Sequence, residues 1–206
     1  MKHVIFDFDG TLVNSLPVVV RIANELVPDL DLNDAKLAKL REMSPREGLK
    51  HVGVPYWKLL RLMIQGKHIL SQRLDELKAF KGIDEMVGAL HKAGYQISVV
   101  SSNSEENIRS VLKREGVEKY FAGVYGNVGL FNKTRAFKVV MKDQNASIDE
   151  VIYIGDEVRD IEAAHKADIP IISVTWGYNG QKILKQYKPT YLVHTPQELL
   201  QTIKAA

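Results

Sequence analysis

Five short runs rich in β-branched and aromatic residues, at 4–8, 95–100, 151–154, 169–174 and 191–193, alternate with stretches of helical spacing. No other feature constrains the fold so tightly. Short apolar runs closed by polar or glycine-containing turns suit strands buried on both faces of a parallel sheet. Helices are read between them at 84–93, stopped by Gly94, at 104–114, stopped before Gly116, and at 134–143 and 160–167. A last helix is read at 196–204, with Thr195 as its cap. Strand and helix in alternation predict an α/β fold with a doubly wound parallel sheet.

Residues 16–80 break that rhythm. They hold no convincing strand, and Leu37, Leu40, Leu62, Met63, Leu70, Leu74 and Leu77 recur at helical spacing. Pro28, Pro45, Pro55 and Gly66 divide the stretch into about four short helices. The expected organisation is therefore a discontinuous α/β core, 1–15 and 81–206, with a helical insertion at 16–80 leaving after the first strand. Lys plus Arg is 28 against 25 for Asp plus Glu, a net +3 too balanced to argue for nucleic acid or a membrane surface. The chain has no cysteine, which excludes disulfides and thiolate metal sites. The apolar start at 4–6 is too short for a signal-peptide core, and no stretch approaches the roughly 20 apolar residues of a membrane helix. A cytoplasmic protein is expected. A monomer is expected too, since no long exposed apolar helix stands out beyond the insertion.

The polar residues that follow the strands carry the chemistry. The first run ends in Asp7-Phe8-Asp9-Gly10-Thr11-Leu12, and alternation sends Asp7 and Asp9 to one face at the strand end. Two carboxylates so placed repel unless a cation holds them or one stays protonated. Mg²⁺ suits them, with its preference for hard oxygen ligands, phosphate and water. Asp-Gly after a strand is also an ordinary turn. The second run ends in Ser101-Ser102-Asn103-Ser104 ahead of a helix, which makes either an N-cap or a site for anionic oxygen. The third ends in Gly155-Asp156, and Asp160 follows one helical turn later, so both carboxylates can face one point. Capping explains each case singly; it does not explain three strand ends gathering such groups at one edge of the sheet, where open α/β sheets bind ligands. Lys133, ahead of a helical run and after the glycine-rich stretch 123–129, is placed to balance the acids, whereas Lys138 and Lys142 read as solvated.

In these motifs the sequence closely resembles the haloacid dehalogenase-like superfamily of phosphatases, and within it the phosphoglycolate phosphatase-like group. Asp-Phe-Asp-Gly-Thr-Leu at 7–12 matches the nucleophile motif, Ser102-Asn103 the second, Lys133 the lysine and Gly155-Asp156-x-x-x-Asp160 the acidic motif. Trp176-Gly177-Tyr178-Asn179 resembles a turn found late in many of these enzymes. The resemblance implies a Rossmann-like core and a Mg²⁺-dependent phosphatase acting on a small phosphorylated metabolite. Asp7 would be the nucleophile and a metal ligand, and Asp9 the acid and then base, with its backbone carbonyl on the metal. Asp156 would bind the metal directly, with Asp160 beside it or behind it. Gly10, Thr11, Ser102 and Lys133 would hold phosphoryl oxygens, and Asn103 would orient them. Two departures stand out: Lys133 is followed by Thr134-Arg135-Ala136 where the family often has prolines, and adjacent Ser101 and Ser102 leave the register of that motif to Asn103.

Asp9 favours an oxygen-ester leaving group over dehalogenation, since dehalogenases of the superfamily lack an aspartate there. A phosphomutase keeps both aspartates and stays open, as does a pyrophosphatase. A receiver-type signalling domain or a non-catalytic phosphate-binding protein would have no use for this insertion or for the whole set of groups. The resemblance further implies that the insertion is a cap hinged near Asn14-Ser15 and Lys81-Gly82. Arg46, Lys50, His51, Arg61 and Lys67 are its candidate contacts to an anionic substrate. Ser44-Pro45-Arg46-Glu47-Gly48 is read as a fixed turn presenting Arg46.

Overall fold

Val4, Ile5 and Phe6 are fully buried, and with His3 they form the central strand of a six-stranded parallel sheet. The structure is a computed structural model that describes residues 2–53, 56–129 and 132–206. The strands are β1 (His3–Phe6), β2 (Gln96–Val100), β3 (Phe121–Tyr125), β4 (Val151–Gly155), β5 (Ile171–Val174) and β6 (Tyr191–Val193), in the spatial order β3-β2-β1-β4-β5-β6. Strand order therefore reverses between β1 and β4, which makes the crevice beyond their carboxyl ends the topological switch point. Register sets the site. Phe6 lies opposite Val99 of β2 and Ile154 of β4, so the residues that follow all three strands emerge at one level.

Side-chain alternation then fills both faces. Val4 and Phe6 pack with Met86, Val87 and Leu90 of α5 (Ile83–Lys92), Ile108 and Val111 of α6 (Glu105–Arg114), and Leu199 and Ile203 of a last helix, Pro196–Ala205. Ile5 and Tyr153 pack on the other face against Phe137 of α7 (Lys133–Asp143), Ile161 and Ala164 of α8 (Val158–Lys166), and Leu184 of α9 (Gln181–Gln186). The helix at Pro196–Ala205 is α10, and Thr195 caps it by accepting the Glu198 N–H. Phe137 and Tyr153 pack with their rings tilted at 52° and centroids 4.6 Å apart, and the Tyr153 phenol reaches Lys133 and Asp160 beyond the strand ends.

Between β1 and α5 the described residues form four α-helices, α1 (Leu16–Leu26), α2 (Asp34–Arg41), α3 (Pro45–Val52) and α4 (Tyr56–Ser71). Val18 and Ile22 of α1 and Leu70 of α4 join the core cluster of the sheet. The two segments that connect this insertion to the core lie side by side: Asn14 N–H donates to Lys78 C=O and Phe80 N–H to Leu12 C=O. Among the described residues, no helix is long and apolar enough to cross a membrane.

Several elements differ from the sequence reading. Strand β3 and helix α9 were not foreseen. Gly66, read as a break, lies inside α4; a lone glycine costs a helix only about 1 kcal/mol, which packing overrides. The segment expected to form a turn around Arg46 is the first turn of α3, closed by a capping box in which Ser44 Oγ accepts the Glu47 N–H and the Glu47 carboxylate accepts the Ser44 N–H. Pro55 lies outside the described residues.

Candidate active site

Asp7 follows β1, and its backbone N–H continues the ladder onto Ile154 C=O at 2.8 Å. Its side chain is thereby fixed at the switch point, with Oδ1 accepting the Phe8 N–H at 2.8 Å. Asp156 follows β4 and is fully buried. It is held from two sides: Oδ1 accepts the Thr11 hydroxyl at 2.8 Å, and Oδ2 accepts the Tyr178 N–H at 2.6 Å. Asp160, on the first turn of α8, is also fully buried. Its Oδ2 accepts the N–H groups of Asp156 and Glu157, while its Oδ1 accepts from Lys133 Nζ and the Tyr153 hydroxyl. One oxygen from each of Asp7, Asp156 and Asp160 lies within 4.8 Å of the others.

Lys133 opens α7 and reaches under this cluster. Its Nζ stands 2.7 Å from Asp7 Oδ2, 2.5 Å from Asp160 Oδ1 and 2.9 Å from the Tyr153 hydroxyl. Burial works against its charge, but the carboxylates of Asp160 and Asp7 outweigh that and hold the ammonium above the ordinary lysine range. One cation does not balance three acids. Burial pushes the Asp7 carboxyl up to about 7, with Lys133 opposing and Asp160 adding to the rise. Burial also pushes Asp156 well up, reinforced by Glu157, Asp160 and Asp7. Buried carboxylates that repel one another and converge on one point are a donor set suited to a hard divalent cation.

Gly10 makes this closeness possible. It sits at φ +80°, and a Cβ there would overlap Asp156 and the Tyr178 ring. Thr11 is fully buried with its hydroxyl on Asp156. Of the paired serines, Ser101 is buried and its Oγ accepts the Asn103 N–H, while Ser102 stays partly exposed. A cavity of about 370 Å³ stands over these groups, with Asp7, Asp9, Ser102, Asn103 and Lys133 on its floor. Among the described residues, Asp9 Oδ1 and Asn103 Nδ2 are buried there without a hydrogen-bond partner, a state that native interiors seldom keep without a ligand to use it. Burial raises the Asp9 carboxyl, and the neighbouring Ser15 and Asn103 partly offset the rise.

The structure thus brings Asp7, Asp9, Ser102, Asn103, Lys133, Asp156 and Asp160 together. Arg46 is exposed on α3 and is not among the residues lining the cavity. Lys67 of α4 does line it, and its Nζ donates to Ser102 C=O at 3.1 Å. Sequence reasoning missed Tyr153, Glu157 and Arg159. Tyr153 reads as one more strand residue, while Glu157 and Arg159, which pair with each other, stood in plain sight inside the acidic motif.

Comparison with known proteins finds relatives along most of the chain. The haloacid dehalogenase-like hydrolase family matches residues 4–174. A phosphoglycolate phosphatase from Synechococcus elongatus is 35% identical over 98% of this chain and 97% of its own. The pyrophosphatase PpaX of Listeria innocua is 25% identical over 97% of this chain and 95% of its own. A haloacid dehalogenase-like family hydrolase from Streptococcus pneumoniae superposes with a TM-score of 0.82 at 21% identity, covering 98% of both chains.

Proposed function

The chain belongs to the haloacid dehalogenase-like hydrolase family and is a phosphatase, and on that premise we propose that Asp7 is its nucleophile, acting on a small phosphate monoester. The observation that carries the assignment is the convergence of Asp7, Asp156 and Asp160 within 4.8 Å, with Lys133 bonded to two of them.

Asp7 attacks phosphorus through its carboxylate, and the phosphoryl group passes to it as an aspartyl-phosphate. The ion pair with Lys133 favours the ionised form that attack requires. Asp9, whose burial favours the protonated form, protonates the leaving alcohol. As a carboxylate it then takes the proton from the water that frees the phosphate. Ser102 and Lys133 receive phosphoryl oxygens, and Asn103 Nδ2 offers a donor beside them. Asn103 is itself fixed, because its Oδ1 accepts the Ser104 N–H and the Asn107 amide.

Asp7, Asp156 and the Asp9 backbone would hold Mg²⁺, which when bound supplies positive charge against the anionic cluster and the transferring group. Asp160, whose two oxygens already serve four protein donors, is proposed to position Lys133 and the start of α8. Gly10 and Thr11 are proposed to serve the phosphate indirectly, by admitting and holding Asp156. Helices α1 to α4 are proposed to be a cap that covers the cavity and excludes water during turnover.

The test is release of inorganic phosphate from an aryl phosphate with and without Mg²⁺, for the native protein and Asp7→Asn. Release that needs Mg²⁺ and is lost in the variant supports the assignment. Release that persists in Asp7→Asn, or is indifferent to Mg²⁺, contradicts it.

A further inference from the structure

The cavity continues from the carboxylates up into the insertion, and its chemistry changes on the way. Beyond the floor its wall is built by Ile22 and Leu26 of α1, Val52 of α3, and Leu62, Met63 and Leu70 of α4. Leu26, Val52, Leu62 and Met63 are only partly buried. They present carbon surface to the cavity, and such surface gains by being covered.

The basic residues of the insertion do not follow. Of Arg46, Lys50, His51, Arg61 and Lys67, only Lys67 is among the residues lining the cavity, and one of its ammonium donors goes to Ser102 C=O at the floor. Arg159, at the floor with the phosphoryl-binding groups, pairs with Glu157 through one terminal nitrogen and keeps a buried Nε without a partner among the described residues. A carboxylate or a set of hydroxyls on the leaving group would press against Ile22, Leu26, Val52, Leu62, Met63 and Leu70, described wall residues whose side chains offer no donor, and unpaired polar groups are costly to desolvate. An alkyl or aryl body would not. The volume, about 370 Å³, lies within the roughly 300–1,000 Å³ usual for small-molecule sites.

We propose that the enzyme's substrates are phosphate monoesters of apolar alcohols, with the phosphoryl group at Asp7 and the carbon body between α1, α3 and α4. The inference rests on the phosphatase reading above and adds the leaving group to it. Specificity is then set by Leu26, Val52 and Met63. Covering them draws the ester into line with Asp7, so remote binding is realised in the reacting complex.

The test is kcat/KM, with Mg²⁺, across ethyl, butyl and hexyl phosphate, phenyl phosphate, glycerol 3-phosphate and phosphoglycolate. A gain of about tenfold or more from ethyl to hexyl is expected, since single methylenes in apolar pockets already discriminate on that order. Hexyl and phenyl phosphate should both exceed phosphoglycolate. Met63→Gln, close to isosteric, and Leu26→Ser should each draw the hexyl-to-ethyl ratio toward one, in protein whose circular dichroism matches the native form. A flat alkyl series with phosphoglycolate preferred overturns the inference and leaves the phosphatase standing. A ratio unmoved by both variants overturns the placement between the helices. Release from none of these esters overturns the phosphatase reading and this inference with it.

Discussion

Replacing Lys133 by methionine should remove the charge that makes the acidic cluster tolerable. The ammonium lies 2.7 Å from Asp7 and 2.5 Å from Asp160, and the side chains are 5%, 6% and 0% exposed, so solvent screening is nearly absent. Deleting one partner of a buried ion pair costs about 3–5 kcal/mol, because the other charge is left uncompensated. Lys133→Met should cost that much in metal-free buffer at pH 8, read from urea unfolding with an unchanged slope. Asp160→Asn alone removes a like charge as well as a partner. The double variant should therefore be less destabilised than the two single losses summed, with a coupling of about 2–3 kcal/mol. Lys133 also opposes the rise of the Asp7 pKa. In Lys133→Met that carboxyl climbs further, the folded form binds the extra proton, and the deficit narrows as pH falls from 8 toward 5. A cost under about 1 kcal/mol, strict additivity, or a deficit that widens toward pH 5 would refute the reasoning.

In the metal-free native protein, burial raises Asp7 from 3.8 to about 7, so between those values the folded form holds a proton the unfolded chain has released. The stability this gives is lost as pH rises through 7, and Asp7→Asn should become more stable relative to the native form from pH 5 to 8; a difference independent of pH contradicts this. Thr11→Val strips a 2.8 Å bond from buried Asp156, and should cost about 1–3 kcal/mol and weaken Mg²⁺ binding in a calorimetric titration. Gly10→Ala, at φ +80° with its Cβ against Asp156, should lower the unfolding midpoint by the equivalent of at least about 1 kcal/mol and reduce kcat. Unchanged stability in either variant would mean that Asp156 is held by other groups.

The core of the fold was legible because strands buried on both faces leave unbroken apolar runs such as 4–6 and 151–154. Edge strand β3 was not, since Ala122 and Gly123 dilute it and most of its residues are only partly buried or exposed. Helix α9 spans only Gln181–Gln186 without a side-chain cap, too short for a period to show. Asp7, Lys133, Asp156 and Asp160 could be read because position at a strand or helix end is written in sequence. What each side chain does there was less visible. The Thr11 hydroxyl turns to Asp156, and Tyr153 reaches Lys133 from inside a strand. Around Arg46 the sequence carried both signals: Pro45 and Gly48 suggested a turn, but Ser44 with Glu47 three residues on is a helix start, and that signal was the better guide. The apolar wall could not be read at all, because Leu26, Val52 and Met63 come from three helices at spacings that serve a core equally well.

The central claim is that Asp7 carries the phosphoryl group. Native protein turning over an aryl phosphate with Mg²⁺ can be quenched in acid within its first turnovers, digested and weighed peptide by peptide. The peptide bearing Asp7 should gain the mass of one phosphoryl group, transiently, and lose it to hydroxylamine as an acyl phosphate does; Asp7→Asn should show none. A phosphoryl group on a different peptide, or turnover with no labelled peptide at any quench time, would contradict the account.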